Sequence, residues 1–253
     1  MNNKWLILIA TVTLGFAGHA CSVEKSELLD IRKLFSQREQ QALSQPFKGV
    51  TTDGVLQSDL FKVKATGVST KPIINAAKAF LASLTPNQQA KTTFAIDDEE
   101  WRKWSNVDNG IYLRQGVSLK EMTVAQRHHA FALMNASLSA KGLQQSKNIM
   151  KTDQTLKELN NNSQYLDEQL YFFTIMGTPS ETEPWGWQVD GHHLVINYFV
   201  LGTQVVMAPV FMGAEPVIAT SGKYQGNEVL QQEQDLGLAL MMSFNDSQRQ
   251  TAT

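Results

Sequence analysis

The sequence predicts an α+β fold in which helices from the first half of the chain pack on an antiparallel sheet formed by the second half. Helix signals occupy the chain up to about residue 160, strand-like segments begin at Tyr171, and a helical pattern returns after residue 226. Helices that are segregated from strands along the chain are typical of α+β folds. The length of 253 residues and the apolar content of 42% suffice for one substantial core.

Two capping motifs and one amphipathic pattern define the helical half. Residues 23–43 place apolar side chains at helical intervals opposite a charged face, which predicts an amphipathic helix. Thr85 with Gln88, and Thr123 with Gln126, have the spacing of capping boxes, in which the two side chains bond the first free amides of a helix. Each pair predicts a helix start, and the second helix is expected to end near a glycine at position 142.

Three strand segments between Tyr171 and Gly213 predict an antiparallel meander with short connections. They read YFFTIMG, WGWQVDGHHLVINYFV and TQVVMAPVFMG. The middle segment turns apolar on both faces after its histidines, so its strand must be covered above and below. A further helix over residues 226–245 is expected to close the chain and to supply part of the cover of the sheet.

The first 20 residues have the pattern of a secretory signal peptide, with Lys4 ahead of an apolar run and Ala20 at the cleavage position. We therefore expect an exported protein of the periplasm or outer envelope. Residues 21–70 would form an N-terminal helix and linker, and residues 71–253 the main domain. Cleavage would make Cys21 the first residue, where a bacterial lipoprotein is acylated, although the residues before it depart from a lipobox. Lipidation and plain cleavage both remain open.

Composition excludes several classes of protein. The chain has 22 basic and 24 acidic residues, a formal charge of −2, and therefore no broad basic surface for nucleic acid. A single cysteine rules out an intrachain disulfide. The sequence contains no serine-hydrolase elbow, phosphate-binding loop or dinucleotide fingerprint, and it indicates no particular cofactor or oligomeric state. A small-molecule ligand is the expected partner, with membrane contact only through a lipid at Cys21.

The segment around Gly191-His192-His193 is the candidate catalytic site. On one continuous strand, Asp190 and His192 share a face about 6.5 Å apart, so Asp190 is expected to orient His192 as a general base or metal ligand. His193 would lie on the opposite face, unless a bulge at Gly191 brought both rings to one side. Alternatively, each histidine is a partly buried residue whose ring bonds a backbone carbonyl.

Other side chains are candidates for metal or ligand binding. His192, His193 and His128 are candidate metal ligands, although no familiar metal-binding spacing links them. Trp185 and Trp187 share a strand face and are candidates for an aromatic ligand-binding wall or for the core. Arg102 and Arg127 are candidates for binding an anion, or they are ordinary ion-paired arginines. We also expect at least one of the strand histidines to share a pocket with the helix that carries Arg127 and His128. These candidates are consistent with a ligand-binding protein as well as an enzyme.

Several segments resemble the bacterial domain of unknown function family 3500 over about residues 76–253. They include AFLASLTPNQQAK, GVSLKEMTVAQR, YFFTIMGTPSETEPWGWQVDGHHLVIN and APVFMGAEP. The resemblance implies an exported bacterial protein and no defined activity. Gln188 stands where the family usually has arginine. Family members continue into a further C-terminal part, so this chain is expected to be incomplete and to leave the edge strand TQVVMAPVFMG uncovered.

Three functions fit these features. The best guess is an exported small-molecule site on the Gly-His-His strand, in a hydrolytic or metal-assisted enzyme. The alternatives are a non-catalytic ligand-binding protein and a structural envelope protein. A cleft that contains His192 or His193 together with Arg102 or Arg127 would favour the enzyme, and an open aromatic groove would favour ligand binding. Buried histidines that bond backbone carbonyls would favour a structural role.

Overall fold

A computed structural model describes residues 25–47, 53, 55, 62 and 64–252 of the chain. The predicted signal peptide and Cys21 lie outside the described residues, so cleavage and lipidation stay predictions. The seven α-helices of the described chain are α1 Lys25–Leu43, α2 Lys71–Ser83, α3 Pro86–Thr92, α4 Val124–Ser137, α5 Ala140–Leu159, α6 Gln231–Ser243 and α7 Asp246–Ala252. Among the described residues, no helix combines the length and the apolar character that crossing a membrane requires.

Seven strands of the described chain form one sheet, and two of them come from the first half of the sequence, where only helices were predicted. Its strands are β1 Thr93–Phe94, β2 Val117–Ser118, β3 Tyr171–Met176, β4 Trp185–Gly191, β5 Leu194–Leu201, β6 Gln204–Val206 and β7 Val210–Met212. The order is β1-β3-β4-β5-β6, with β2 also paired to β3 and β7 to β5. All pairs are antiparallel except β1 with β3, so the α+β class is confirmed and the sheet is mixed.

The predicted middle strand of the meander is two strands. β4 ends at Gly191, β5 begins at Leu194, and the two residues pair directly across a turn made of His192 and His193. His193 has a φ of +57°, a left-handed conformation that histidine adopts more readily than most side chains. The continuous apolar character of the segment hides this turn, because both strands that flank it are buried. The prediction of one uninterrupted strand is therefore wrong.

Gly191 is required by the pairing of β3 with β4. It lies directly opposite Tyr171, and a Cβ atom at position 191 would overlap the Tyr171 ring. The missing side chain therefore lets the aromatic ring lie over the end of β4, next to the turn.

The two faces of the sheet have different cover. One face packs against α2, α4 and α5 and forms the core, with fully buried side chains that include Trp185, Trp187, Phe173 and Val200. The other face is covered by the irregular segment 95–116, in which the Trp101 ring lies against Gly186 and packs 6.3 Å from the Phe199 ring, between centroids. Both faces of β4 are therefore buried, and residues 194–200 of β5 are buried or half-buried on both faces, as their apolar sequence predicts.

The two helix starts that were predicted from capping motifs are confirmed. The capping boxes of Thr85 with Gln88 and of Thr123 with Gln126 are both formed. The helix after Thr123 ends earlier than predicted, because Ser139 caps a second helix by accepting a hydrogen bond from Gly142 N at 3.1 Å. The glycine thus lies in the first turn of α5 and does not end α4.

The helix predicted over residues 226–245 is confirmed as α6, within the C-terminal part of the chain. Within the described chain, α6 contains no buried residue. Four of its apolar side chains, Leu236, Leu238, Leu240 and Met242, are exposed. Its apolar composition correctly predicted a helix, whereas cover of the sheet depends on tertiary packing that composition alone does not specify.

Candidate functional site

The turn between β4 and β5 brings the two histidine rings side by side. Their centroids are 4.0 Å apart and their planes differ by 31°. Three hydrogen bonds to the backbone of the two histidines hold the turn. His193 N donates to Asn106 O at 3.0 Å, Gly213 N donates to His193 O at 2.8 Å, and the side-chain OH of Tyr171 donates to His192 O at 3.0 Å. The opposite-face arrangement expected for a continuous strand does not occur, because residues in a turn do not alternate between sheet faces.

His192 is paired with a buried aspartate from α5. His192 Nδ1 lies 2.7 Å from Asp153 Oδ1, and the two side chains are only 8% and 2% exposed. Asp153 follows the core residues Ile149 and Met150 by one helical turn, so helical periodicity directs it to the buried face of α5. Burial raises the pKa of Asp153, although the hydrogen bond to His192 opposes that effect.

This contact defines which nitrogen of His192 is available for chemistry. When Asp153 is ionised it accepts a hydrogen bond from the Nδ1–H of a neutral His192, and Nε2 then holds the free lone pair. A carboxylate that fixes an imidazole in this way is common behind metal-binding and catalytic histidines. The Asp–His arrangement expected from the sequence is thus present, but with a different aspartate.

Asp190, the partner predicted for His192, is paired with Arg114. Asp190 Oδ1 lies 3.1 Å from Arg114 Nε, and both side chains are almost fully buried. Burial raises the pKa of Asp190 to about 6, while the charge of Arg114 lowers it. Arg114 also donates to the carbonyl oxygens of Ser105 and Val107. The ion pair therefore supports the segment whose Asn106 bonds the turn, and Asp190 acts on the site through that segment.

Glu215 completes the group at the turn. It lies shortly after β7, and its Oε2 atom is 3.5 Å from His193 Nε2. Contact with His193 lowers the pKa of Glu215. One ligand atom from each of His192, His193 and Glu215 lies within 4.8 Å of the others. These three residues, called the turn cluster below, can hold a metal ion.

Asp153 and Glu215 were missed by the sequence analysis. Asp153 stands on the apolar stripe of a helix, where an unpaired carboxylate is costly, and that position is the signal that points to it. Glu215 is the single acidic residue between Asp190 and Glu228. Neither signal identifies a histidine as the partner, because both contacts join segments that are distant in sequence.

The two tryptophans of β4 belong to the core. Trp185 and Trp187 are both 0% exposed, and the Trp187 ring stacks on Tyr198 with 5.5 Å between centroids. The sequence left a ligand-binding wall and core packing as alternatives for these residues. The structure places both tryptophans in the core.

The predicted anion anchors make contacts within the protein. Arg102 donates to the carbonyl oxygens of Ala42 and Leu43 at the end of α1. Arg127 donates to Leu119 O at 3.2 Å and to Gln169 Oε1 at 3.0 Å. Both arginines thus join segments of the fold through their guanidinium groups.

The expected pocket between the turn histidines and α4 is replaced by a different arrangement. The side-chain partners of the turn histidines that the structure describes come from α5 and from the segment after β7. His128 is exposed on α4, beside His129, and does not belong to the turn cluster. A cleft of about 560 Å³ lies elsewhere, with a lining that includes Lys91, Arg114 and Phe172 but neither turn histidine.

The fold and the turn cluster define an α+β protein with a candidate metal- or ligand-binding group at one end of its sheet. The model of the family described as "Protein of unknown function (DUF3500)" matches residues 66–253, and the chain belongs to this family. No curated protein and no solved structure matches the chain. The family confirms the resemblance seen in the sequence, and function has to be argued from the site.

Proposed function

We propose that this chain is a hydrolytic enzyme for a small molecule, with its reaction centre at the turn between β4 and β5. The observation that carries the proposal is the 2.7 Å contact between His192 and the buried Asp153. Asp153, whose pKa burial raises against the opposing effect of a specific partner, is the kind of ionisable group that catalytic sites contain.

Stability alone is a poor reason for this arrangement. Burying a carboxylate and an imidazole removes both from water, and apolar residues of similar volume often stabilise a core equally well. A histidine with a structural role needs a single hydrogen-bond partner, for which a backbone carbonyl is sufficient. Here the partner is a carboxylate, and a second imidazole and a second carboxylate stand next to the pair. The combination fits acid–base or metal chemistry better than packing.

The reaction that these groups support is attack by water on a carbonyl or phosphoryl centre. The water oxygen forms the new bond, the bond to the leaving group breaks, and the proton lost by water is delivered to the leaving group. Asp153 keeps His192 in one tautomer and orientation, so that Nε2 faces the attacking water or the group that activates this water. His193 and Glu215 supply the neighbouring polar contacts for the water and the substrate.

The proposed site of action is the periplasm or outer envelope of a bacterium. This part of the proposal rests on the signal-peptide pattern of residues 1–20 and on the resemblance to an exported family. Mass spectrometry of protein recovered from the cell envelope tests it, because cleavage gives a chain that starts at Cys21, with added acyl mass if Cys21 is lipidated. An intact Met1 start on that material contradicts export by cleavage.

Hydrolysis is tested with a panel of chromogenic carboxylic esters, amides and phosphate esters. For any substrate that the protein turns over, His192→Ala is expected to lower kcat/KM by at least about 100-fold, because it removes the oriented imidazole. The matched control is His128→Ala, which removes an exposed histidine that also has a histidine neighbour. Equal activity of the two variants contradicts the proposed centre, and ligand binding without turnover favours the non-catalytic alternative.

A further inference from the structure

We infer that the turn cluster binds one divalent transition-metal ion, with zinc the best fit, through His192, His193 and Glu215. The inference deepens the proposed function by naming the cofactor of the same site. It rests on that function only for the role of the ion, since metal binding can be measured without any substrate.

The donor set selects a class of metal. Two imidazole nitrogens and one carboxylate oxygen suit zinc, cobalt, nickel and iron, whereas magnesium and calcium prefer sites built from oxygen alone. Two histidines and one glutamate are a recurring ligand set of catalytic zinc, and they leave one position of the tetrahedron for water. An ion in this position would activate the water that the proposed hydrolysis requires.

The spacing of the ligand atoms fits a tetrahedral ion. Zinc holds nitrogen and oxygen ligands at about 2.1 Å, which places two ligands of a tetrahedron about 3.4 Å apart. His193 Nε2 and Glu215 Oε2 are already 3.5 Å apart. The largest separation in the turn cluster is at most 4.8 Å, so the three atoms need to move together by only about 1 Å. Glu215 can make that movement because its side chain is 66% exposed.

His193 provides an independent observation. Both of its ring nitrogens are buried; Nδ1 has no hydrogen-bond partner among the described residues, and Nε2 has only the long 3.5 Å contact with Glu215 Oε2. A buried polar atom without a partner costs about 1–3 kcal/mol and therefore calls for an explanation, of which a bound ion is one. Coordination of an ion by Nε2 would give this nitrogen a bond in place of its long contact with Glu215.

Asp153 lies where a carboxylate would support a metal-binding histidine without itself contacting the ion. A histidine that binds metal through one nitrogen usually donates its other N–H to a carboxylate or carbonyl, which fixes the ring and makes it a better ligand. The 2.7 Å contact at His192 Nδ1 has this form and leaves Nε2 for the ion. Asp153 is in turn held by the backbone N–H of Asp167, which donates to its Oδ2 at 3.3 Å.

The test is metal binding by the full-length chain, prepared without a histidine tag and stripped with a chelator. Cys21→Ser is present in every sample, so that the thiol cannot contribute a ligand. Calorimetric titration with Zn²⁺ is expected to give one ion per chain, and Co²⁺ is expected to give the visible absorption of a tetrahedral centre. His193→Asn and Glu215→Gln should each lower the affinity at least about 10-fold, and Asp153→Asn should lower it about 10- to 100-fold.

The variants are chosen to keep the fold. Asparagine tolerates the positive φ of position 193, and Glu215 is exposed, so neither change should alter thermal unfolding of the metal-free protein. His128→Ala is the matched control and should bind the ion as the unaltered protein does. The absence of one-to-one binding, or binding that His193→Asn and Glu215→Gln leave unchanged, overturns the inference.

The same samples separate this inference from the proposed function. One bound ion without hydrolysis of any panel substrate leaves the metal site intact and contradicts the enzyme. Hydrolysis that depends on His192 but survives complete removal of metal supports the enzyme and contradicts a catalytic role for the ion, whereas the metal site itself is overturned only by the binding measurements.

Discussion

The chain contains two pairs of adjacent histidines, and their backbones give them different chemistry. His128 and His129 follow each other on α4, with rings 6.0 Å apart at 75° to each other. His192 and His193 form a turn, with rings 4.0 Å apart at 31° and a carboxylate beside each ring. Successive helical residues point about 100° apart, whereas this turn directs both side chains to one place. The same dipeptide is therefore a surface feature in one setting and a candidate metal site in the other.

Removal of Asp153 is expected to have the largest effect on stability. Asp153→Ala leaves a buried imidazole and a buried backbone N–H without their partner, so we expect the free energy of unfolding to fall by about 3 kcal/mol. His128→Ala, in the exposed pair, should change it by less than about 0.5 kcal/mol. Urea denaturation of the metal-free proteins measures both. A loss at Asp153 no larger than that at His128 would remove the distinction between the two settings.

Glu100, a buried carboxylate without an imidazole partner, provides a contrast to Asp153. Glu100 is 2% exposed and accepts a hydrogen bond from Gln115 Nε2 at 2.9 Å, while Lys103 Nζ is 3.9 Å away. Burial raises the pKa of Glu100 from 4.5 to about 7, because the ionised form is poorly solvated. The folded protein thus holds this proton more tightly than the unfolded chain, and the contribution of Glu100 to stability is lost as the pH rises from about 4.5 to 7.

Glu100→Gln should therefore stabilise the protein in a pH-dependent way. Above pH 7 the uncharged amide avoids the cost of the buried charge, and we expect a gain of about 2 kcal/mol that disappears below about pH 4.5. Denaturation of both proteins across this range measures the difference. A pH-independent difference would show that Glu100 ionises as easily in the folded protein as in the unfolded chain.

The smallest expected effect on stability comes from the backbone conformation at one histidine of each pair. His193→Gly relieves a left-handed residue and should stabilise the metal-free protein by about 0.5 kcal/mol. His129→Gly, inside a helix, should destabilise it by about 0.5 kcal/mol through lower helix propensity. Opposite signs in thermal unfolding are the expected result. Equal signs would show that side-chain contacts, and not backbone conformation, dominate at one of the two positions.

Local signals in the sequence predicted local structure well. The capping boxes at Thr85 and Thr123 are formed because each involves residues only three positions apart. The α+β class followed from the same kind of information, namely the change of pattern near Tyr171. The sequence also directed attention to His192 and His193, which lie at the centre of the candidate site.

The partners of these histidines could not be predicted in the same way. Asp153 and His192 are 39 residues apart, and their contact depends on how α5 packs across the sheet. Asp190 was the nearest carboxylate along the chain, but the turn directs His192 away from it. The turn itself was missed because histidine, unlike an asparagine–glycine pair, is a weak signal for a positive φ. The site therefore depends on long-range packing that a single sequence does not reveal.

Three of the hydrogen bonds that hold the turn use backbone groups of its two residues, and a fourth joins the His192 ring to Asp153. Asn106, Gly213 and Tyr171 bind the main chain at positions 192 and 193, and Gly191 leaves room for the Tyr171 ring. The backbone at the end of the hairpin is thus held without help from the side chain at position 193. Aspartate or asparagine at this position would keep the same backbone frame, because both tolerate a positive φ, so protein engineers can vary the chemistry there while the scaffold is kept.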